Sequence, residues 1–168
     1  PVYVYPELRT NAETAFEDTV DMIAFYAEYF GEYPFLSEKY GQVLVPIGGG
    51  MEHQTITHIN AQYIEYGGKP NSLIAHELAH QWWGDYITMS DWPHIWLNES
   101  FATYSDALYH EYAYGAEYLK NLMRSYRNQD YEGSIYDPVY LFDSIVYTKG
   151  AFVLHMLRRT VGDDHFRT

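Results

Sequence analysis

Two histidines one helical turn apart, with a glutamate beside the first, constrain this 168-residue chain more than any other feature. His76-Glu77-Leu78-Ala79-His80 falls in a run that reads as a helix from Asn71 or Ser72 to Trp83, closed by Gly84. Residues four apart share a helical face, so both imidazoles can point at one ion. Neutral imidazole is a good zinc ligand. Leu73, Leu78, Trp82 and Trp83 lie on the same helix. Burying two histidines and a glutamate near that apolar surface is costly unless an ion satisfies them. A catalytic zinc needs a third protein ligand and one open position. Glu99 is the natural candidate for that ligand. The 18 residues from 81 to 98 leave room for a loop and a second helix returning across the first. Glu77 can reach a water on such an ion without ligating it, the position of a general base.

Composition removes several competing classes. There is no cysteine, which excludes disulfide scaffolds, thiolate metal sites and cysteine nucleophiles. Ten basic residues against 23 acidic ones give a formal charge of −13, the wrong sign for gripping nucleic acid. No apolar run is long enough to span a bilayer. Hydrophobic residues at 47% and charged residues at 20% are globular values and exclude disorder. The length suits one domain, residues 1–168, and a start at Pro1 without a leader reads as a segment excised from a longer protein. The compartment stays open.

Along the chain, Thr10 to Glu13 fits a capping box ahead of a helical face running from Ala15 to Phe30 and ended by Gly31 and Pro34. Gln42 to Pro46 reads as a strand, and Met51 to Ile64 as a second, suited to a sheet edge. A loop over 67–70 leads into the histidine helix. Further helices are expected near Asn98 to Ala113, Gly115 to Gln129 and Ser144 to Val161, with an irregular stretch from Asp130 to Phe142. Strands come early and helices late without βαβ alternation, which argues for an α+β fold.

The stretches His76 to Gly84 and Trp96-Leu97-Asn98-Glu99-Ser100-Phe101-Ala102-Thr103-Tyr104 resemble the zinc aminopeptidases of the aminopeptidase N and leukotriene hydrolase type. Gly49-Gly50-Met51-Glu52-His53 is similar to that family's G-x-M-E-N motif, and Val146-Tyr147-Thr148-Lys149-Gly150-Ala151 to its Y-x-K-G segment. The resemblance covers roughly residues 40 to 166 and implies a thermolysin-like gluzincin domain with a small mixed sheet on helices. His76, His80 and Glu99 would hold one zinc ion, Glu77 would act as base, and Tyr147 would donate to the oxyanion. Glu52 would hold the α-ammonium of a peptide with a free N-terminus, and Gly49, Gly50 and Met51 would line that peptide. Family members also carry N- and C-terminal domains absent from this chain.

Two departures stand out. His53 occupies the place of the motif's asparagine, and the 48 positions from Glu99 to Tyr147 are fewer than usual in the family. Of the remaining histidines, His58 reads as a packed residue, and His94, His110, His155 and His165 as surface or supporting ones. The activity implied is removal of the N-terminal residue from peptides. Its rivals are a weakly active zinc-binding scaffold, an epoxide hydrolase-like member and an endopeptidase, the last opposed by Glu52.

Overall fold

The computed structural model describes residues 1–69 and 71–167. Four short strands form one mixed sheet in the order β1-β2-β4-β3: β1 (Val2–Tyr3), β2 (Gly41–Val45), β3 (Gly50–Met51) and β4 (Ile56–Asn60). β1, β2 and β4 run parallel, and β3 pairs antiparallel with β4 through Gly50 opposite Ile59 and Met51 opposite His58. β4 alternates as its sequence requires, with Thr57 and Ile59 fully buried on one face and Ile56 exposed on the other.

The single strand expected from Met51 to Ile64 is instead two strands and a turn. Thr55 sits at φ +62, in the left-handed region where a strand cannot continue. The chain folds back there, so β3 takes the edge and β4 the interior. β1 was not foreseen; two exposed residues carry too little pattern to read.

The helices are α1 (Arg9–Ala15), α2 (Thr19–Phe30), α3 (Gln62–Glu65), α4 (Asn71–Ala79), α5 (Trp96–Tyr114), α6 (Ala116–Arg127), α7 (Gly150–Val161) and α8 (Asp163–Phe166), with irregular chain over 128–143. The capping box does not form. A 3-10 turn over Pro6–Leu8 already leads into α1, and Leu8 makes no side-chain cap bond. The expected continuous helix to Phe30 is broken at Phe16–Asp18, which lets Ala12, Ala15 and Phe16 share one core with Met22 and Tyr26. α4 ends its regular bonding at Ala79. Gln81 and Trp82 then bond three residues back, to the carbonyls of Leu78 and Ala79, tightening the turn before Gly84. Pro70, expected in the preceding loop, lies outside the described residues.

α4 packs between the sheet and α5, and α2 braces it, with the buried Tyr26 hydroxyl donating to the Ala75 carbonyl at 3.0 Å. α5 is the central helix. Its other side meets α6 and α7 through Tyr104, Leu108, Leu119, Met123 and Leu154. The final long helix opens with a π turn over Ile145–Lys149 before α7. The architecture is α+β, as expected.

Candidate active site

α4 and α5 cross so that three ligand atoms converge. His76 Nε2 and His80 Nε2 lie 3.1 Å apart, and Glu99 Oε2 is 3.3 Å from each. Three tetrahedral ligands at the usual ~2.0–2.1 Å from a zinc ion stand about 3.3–3.4 Å from one another. The triangle fits that ion. His80 and Glu99 are buried and His76 is half-buried at the cleft.

The tautomer of His80 follows from its other nitrogen. Nδ1 lies 2.9 Å from the Trp83 carbonyl, which can only accept, so Nδ1 keeps a proton in either charge state, and loss of the other proton would bare the Nε2 lone pair to the site. His76 Nδ1 lies 3.4 Å from the Thr103 hydroxyl.

Glu77 is buried beside β3. A Cβ on Gly50 would stand 2.5 Å from Glu77 Oε1, so the glycine makes the space the carboxylate occupies. The Glu52 carboxylate arrives from the turn after β3, and ligand atoms of Glu52, Glu77 and His80 all fall within 4.8 Å of one another. Tyr147 comes from the π turn, its ring centroid 5.9 Å from that of His76.

Three carboxylates around two imidazoles make a well for positive charge. Burial raises the Glu77 carboxyl, the histidines draw it back, and Glu52 and Glu99 raise it again, leaving it at about 7. Burial opposes charge on His80, yet the bond to Glu99 and the charges of Glu99, Glu52 and Glu77 lift it to about 9. Glu99 moves the other way. Burial would raise it, but hydrogen bonds from both histidines hold it at about 2. The Tyr147 phenol is raised by burial and by the facing carboxylates, so it keeps its proton.

All of these groups open into one cleft of about 720 Å³. Gly49, Gly50, Met51 and Glu52 line one wall; His76, Glu77, His80, Glu99 and Tyr147 line the floor and the facing wall. Every residue singled out in the sequence for catalysis, metal or substrate therefore meets in one place. The sequence reading passed over Gln81, Asp85 and Ser100. Gln81 immediately follows His80 between the apolar Leu78 and Trp82, a polar residue on an apolar stretch, and the structure buries it fully. Ser100 is fully buried and donates to the Val146 carbonyl at 2.6 Å.

The family model described as Peptidase family M1 domain matches residues 14–168. The chain belongs to peptidase family M1. This M1 chain is 33% identical to aminopeptidase N of Streptomyces lividans over 98% of its own length and 22% of the relative's. It is 30% identical to endoplasmic reticulum aminopeptidase 2 of Homo sapiens over 99% of its length and 20% of the relative's. Among solved structures, an M1 zinc metallopeptidase of Deinococcus radiodurans superposes with a TM-score of 0.77 at 30% identity, covering 89% of the M1 chain and 34% of the other. A mutant of that enzyme bound to a Tyr-Ser-Ala substrate gives 0.78 at 31% identity with the same coverage. The M1 chain thus spans about a fifth to a quarter of the curated relatives' length. No helix among its described residues is long and apolar enough to cross a membrane.

Proposed function

We propose that the chain is the catalytic segment of a zinc-dependent aminopeptidase that removes the N-terminal residue from peptides. One observation carries the reading: the His76, His80 and Glu99 triangle, with Glu77 beside it, opens onto an edge strand that ends in a carboxylate. The family membership and the aminopeptidase names of the relatives support it. In this reading residues 1–168 are a single thermolysin-like catalytic domain of a longer protein, and the flanking domains pack on it there.

His76, His80 and Glu99 would hold one zinc ion. Bound there, the ion supplies Lewis acidity at neutral pH, polarising water and carbonyl alike. Glu77 takes the proton of the attacking water and later returns it to the leaving amine. Burial raises the Glu77 carboxyl above the usual range, the direction that strengthens it as a base. The Tyr147 hydroxyl, kept protonated, donates to the oxygen on which negative charge develops. The peptide lies along the open side of β3, where no strand among the described residues pairs beyond Gly50 and Met51. Glu52 pairs with the α-ammonium, which leaves room for one residue before the scissile bond.

The test is a matched pair of aminoacyl reporter amides, one with a free amine and one N-acetylated, given to the zinc-loaded protein. Glu77→Gln serves as the blank and zinc content is measured on each sample. Cleavage of the free amine alone, lost in the blank, is the expected result. Cleavage of both would make this an endopeptidase, and zinc binding without cleavage of either would mean that the flanking domains are needed or that the module is a scaffold.

A further inference from the structure

One buried amide holds both ends of the turn that presents Glu52. Gln81 is fully buried, and its side chain makes four hydrogen bonds. Nε2 donates to the Glu52 carbonyl at 3.0 Å and to Asp85 Oδ2 at 2.8 Å. Oε1 accepts from the Thr55 amide at 2.9 Å and from the Tyr33 hydroxyl at 3.1 Å. That is the full capacity of a carboxamide, two donated and two accepted. The orientation of the amide is fixed as well, because the Glu52 carbonyl can only accept and the Thr55 amide can only donate.

The bonds fall where the turn most needs them. Thr55 occupies the left-handed region, an expensive place for a β-branched residue. Its amide is held by Gln81, and the turn closes on itself through the Ile56 amide and the His53 carbonyl at 3.0 Å. Gln81 also follows His80 directly in the chain. The backbone that carries both converging imidazoles and Glu77 therefore grips the turn that carries Glu52, with no intervening element.

We infer that Gln81 is a positioning residue that sets the distance between the amine-binding carboxylate and the metal-binding pair, and so fixes how many residues precede the cut. This rests on Glu52 being the amine anchor. Gln81 itself touches neither substrate nor ion. It acts by preventing the turn from swinging Glu52 away from the cleft, which an ordinary packing residue could not do. Tyr33 and Asp85 take the amide's other two bonds.

The experiment measures binding of leucinamide and of N-acetyl-leucinamide to zinc-loaded wild type, Glu52→Ala, Gln81→Met, Gln81→Glu and Tyr33→Phe. Binding is chosen because it is independent of turnover. Wild type is expected to prefer the free amine, and Glu52→Ala to lose that preference. Gln81→Met and Gln81→Glu are expected to lose tenfold or more of it while still binding one zinc, and Tyr33→Phe to keep it. Retention of the preference in Glu52→Ala overturns the anchor. Loss there, with retention within twofold in the Gln81 variants, overturns the positioning role alone. Should neither Gln81 variant fold, hydrogen exchange on the wild type decides. The Thr55 amide is expected to exchange as slowly as those of α4, and fast exchange overturns the inference.

Discussion

The missing side chain of Gly50 is what lets Glu77 stand against the edge strand, since a Cβ there would press on its carboxylate. The role of Glu77 is testable by a change that keeps its shape. Glu77→Gln is expected to lower kcat by about 10²–10⁴ while zinc content stays the same. A loss under tenfold would remove it from the proton transfer. Tyr147→Phe removes one donor and is expected to cost about 10²–10³, in kcat rather than KM. Steady-state kinetics on the free-amine reporter reads both. At this scale the sequence was most informative. The four-residue interval from His76 to His80 forces a shared helical face whatever surrounds it, and Glu99 needed only a returning helix. Gln81 was not legible in the same way, because its partners Glu52, Thr55 and Tyr33 are 29, 26 and 48 residues away.

Elements, rather than residues, place Tyr147. The π turn over Ile145–Lys149 packs on α5 through Ser100, whose hydroxyl donates to the Val146 carbonyl, and a Cβ on Gly150 would overlap that hydroxyl. Ser100→Ala removes that buried bond and is expected to cost about 0.5–1.5 kcal/mol. That corresponds to roughly 2–4 °C in melting temperature per kcal/mol for a domain of this size. Activity is expected to fall with it, and an unchanged melt would dismiss the latch. Further along α5, His110 packs against the touching rings of Tyr114 and Tyr118, with Nδ1 2.7 Å from Asp106 Oδ1. Burial lowers its pKa, but the Asp106 bond and charge more than offset this, so it ends above 6.5. The folded state therefore binds this proton more tightly than the unfolded one. Its contribution is full below pH 6.5 and fades as pH rises through the folded value. The melting difference between wild type and His110→Phe is expected to shrink from pH 6 to pH 9. The helices were readable from their apolar faces and closing glycines. The π turn and the break at Thr55 were not, since each depends on a partner that periodicity does not record.

For the whole molecule, the converging ligands tie metal binding to folding. An ion that binds only the folded chain stabilises it by about 2.7 kcal/mol at a hundred times its Kd. Zinc is therefore expected to raise the melting temperature by roughly 5–10 °C, and a chelator to reverse the gain. A melt indifferent to both would show that the triangle holds no ion tightly. The α+β class was legible from the order of strands and helices. The mixed sheet was less so, because β1 and β3 are each two residues long. The brevity of β3 has a kinetic consequence. Two residues offer a bound chain only one or two backbone bonds, each worth about 0.5–1.5 kcal/mol net. Such a grip does not hold a shortened product for a second round. In the proposed reading, trimming left to this strand would be distributive: each peptide would depart after a single cut, and the successively shorter forms would accumulate together as a ladder rather than one chain being consumed to its end.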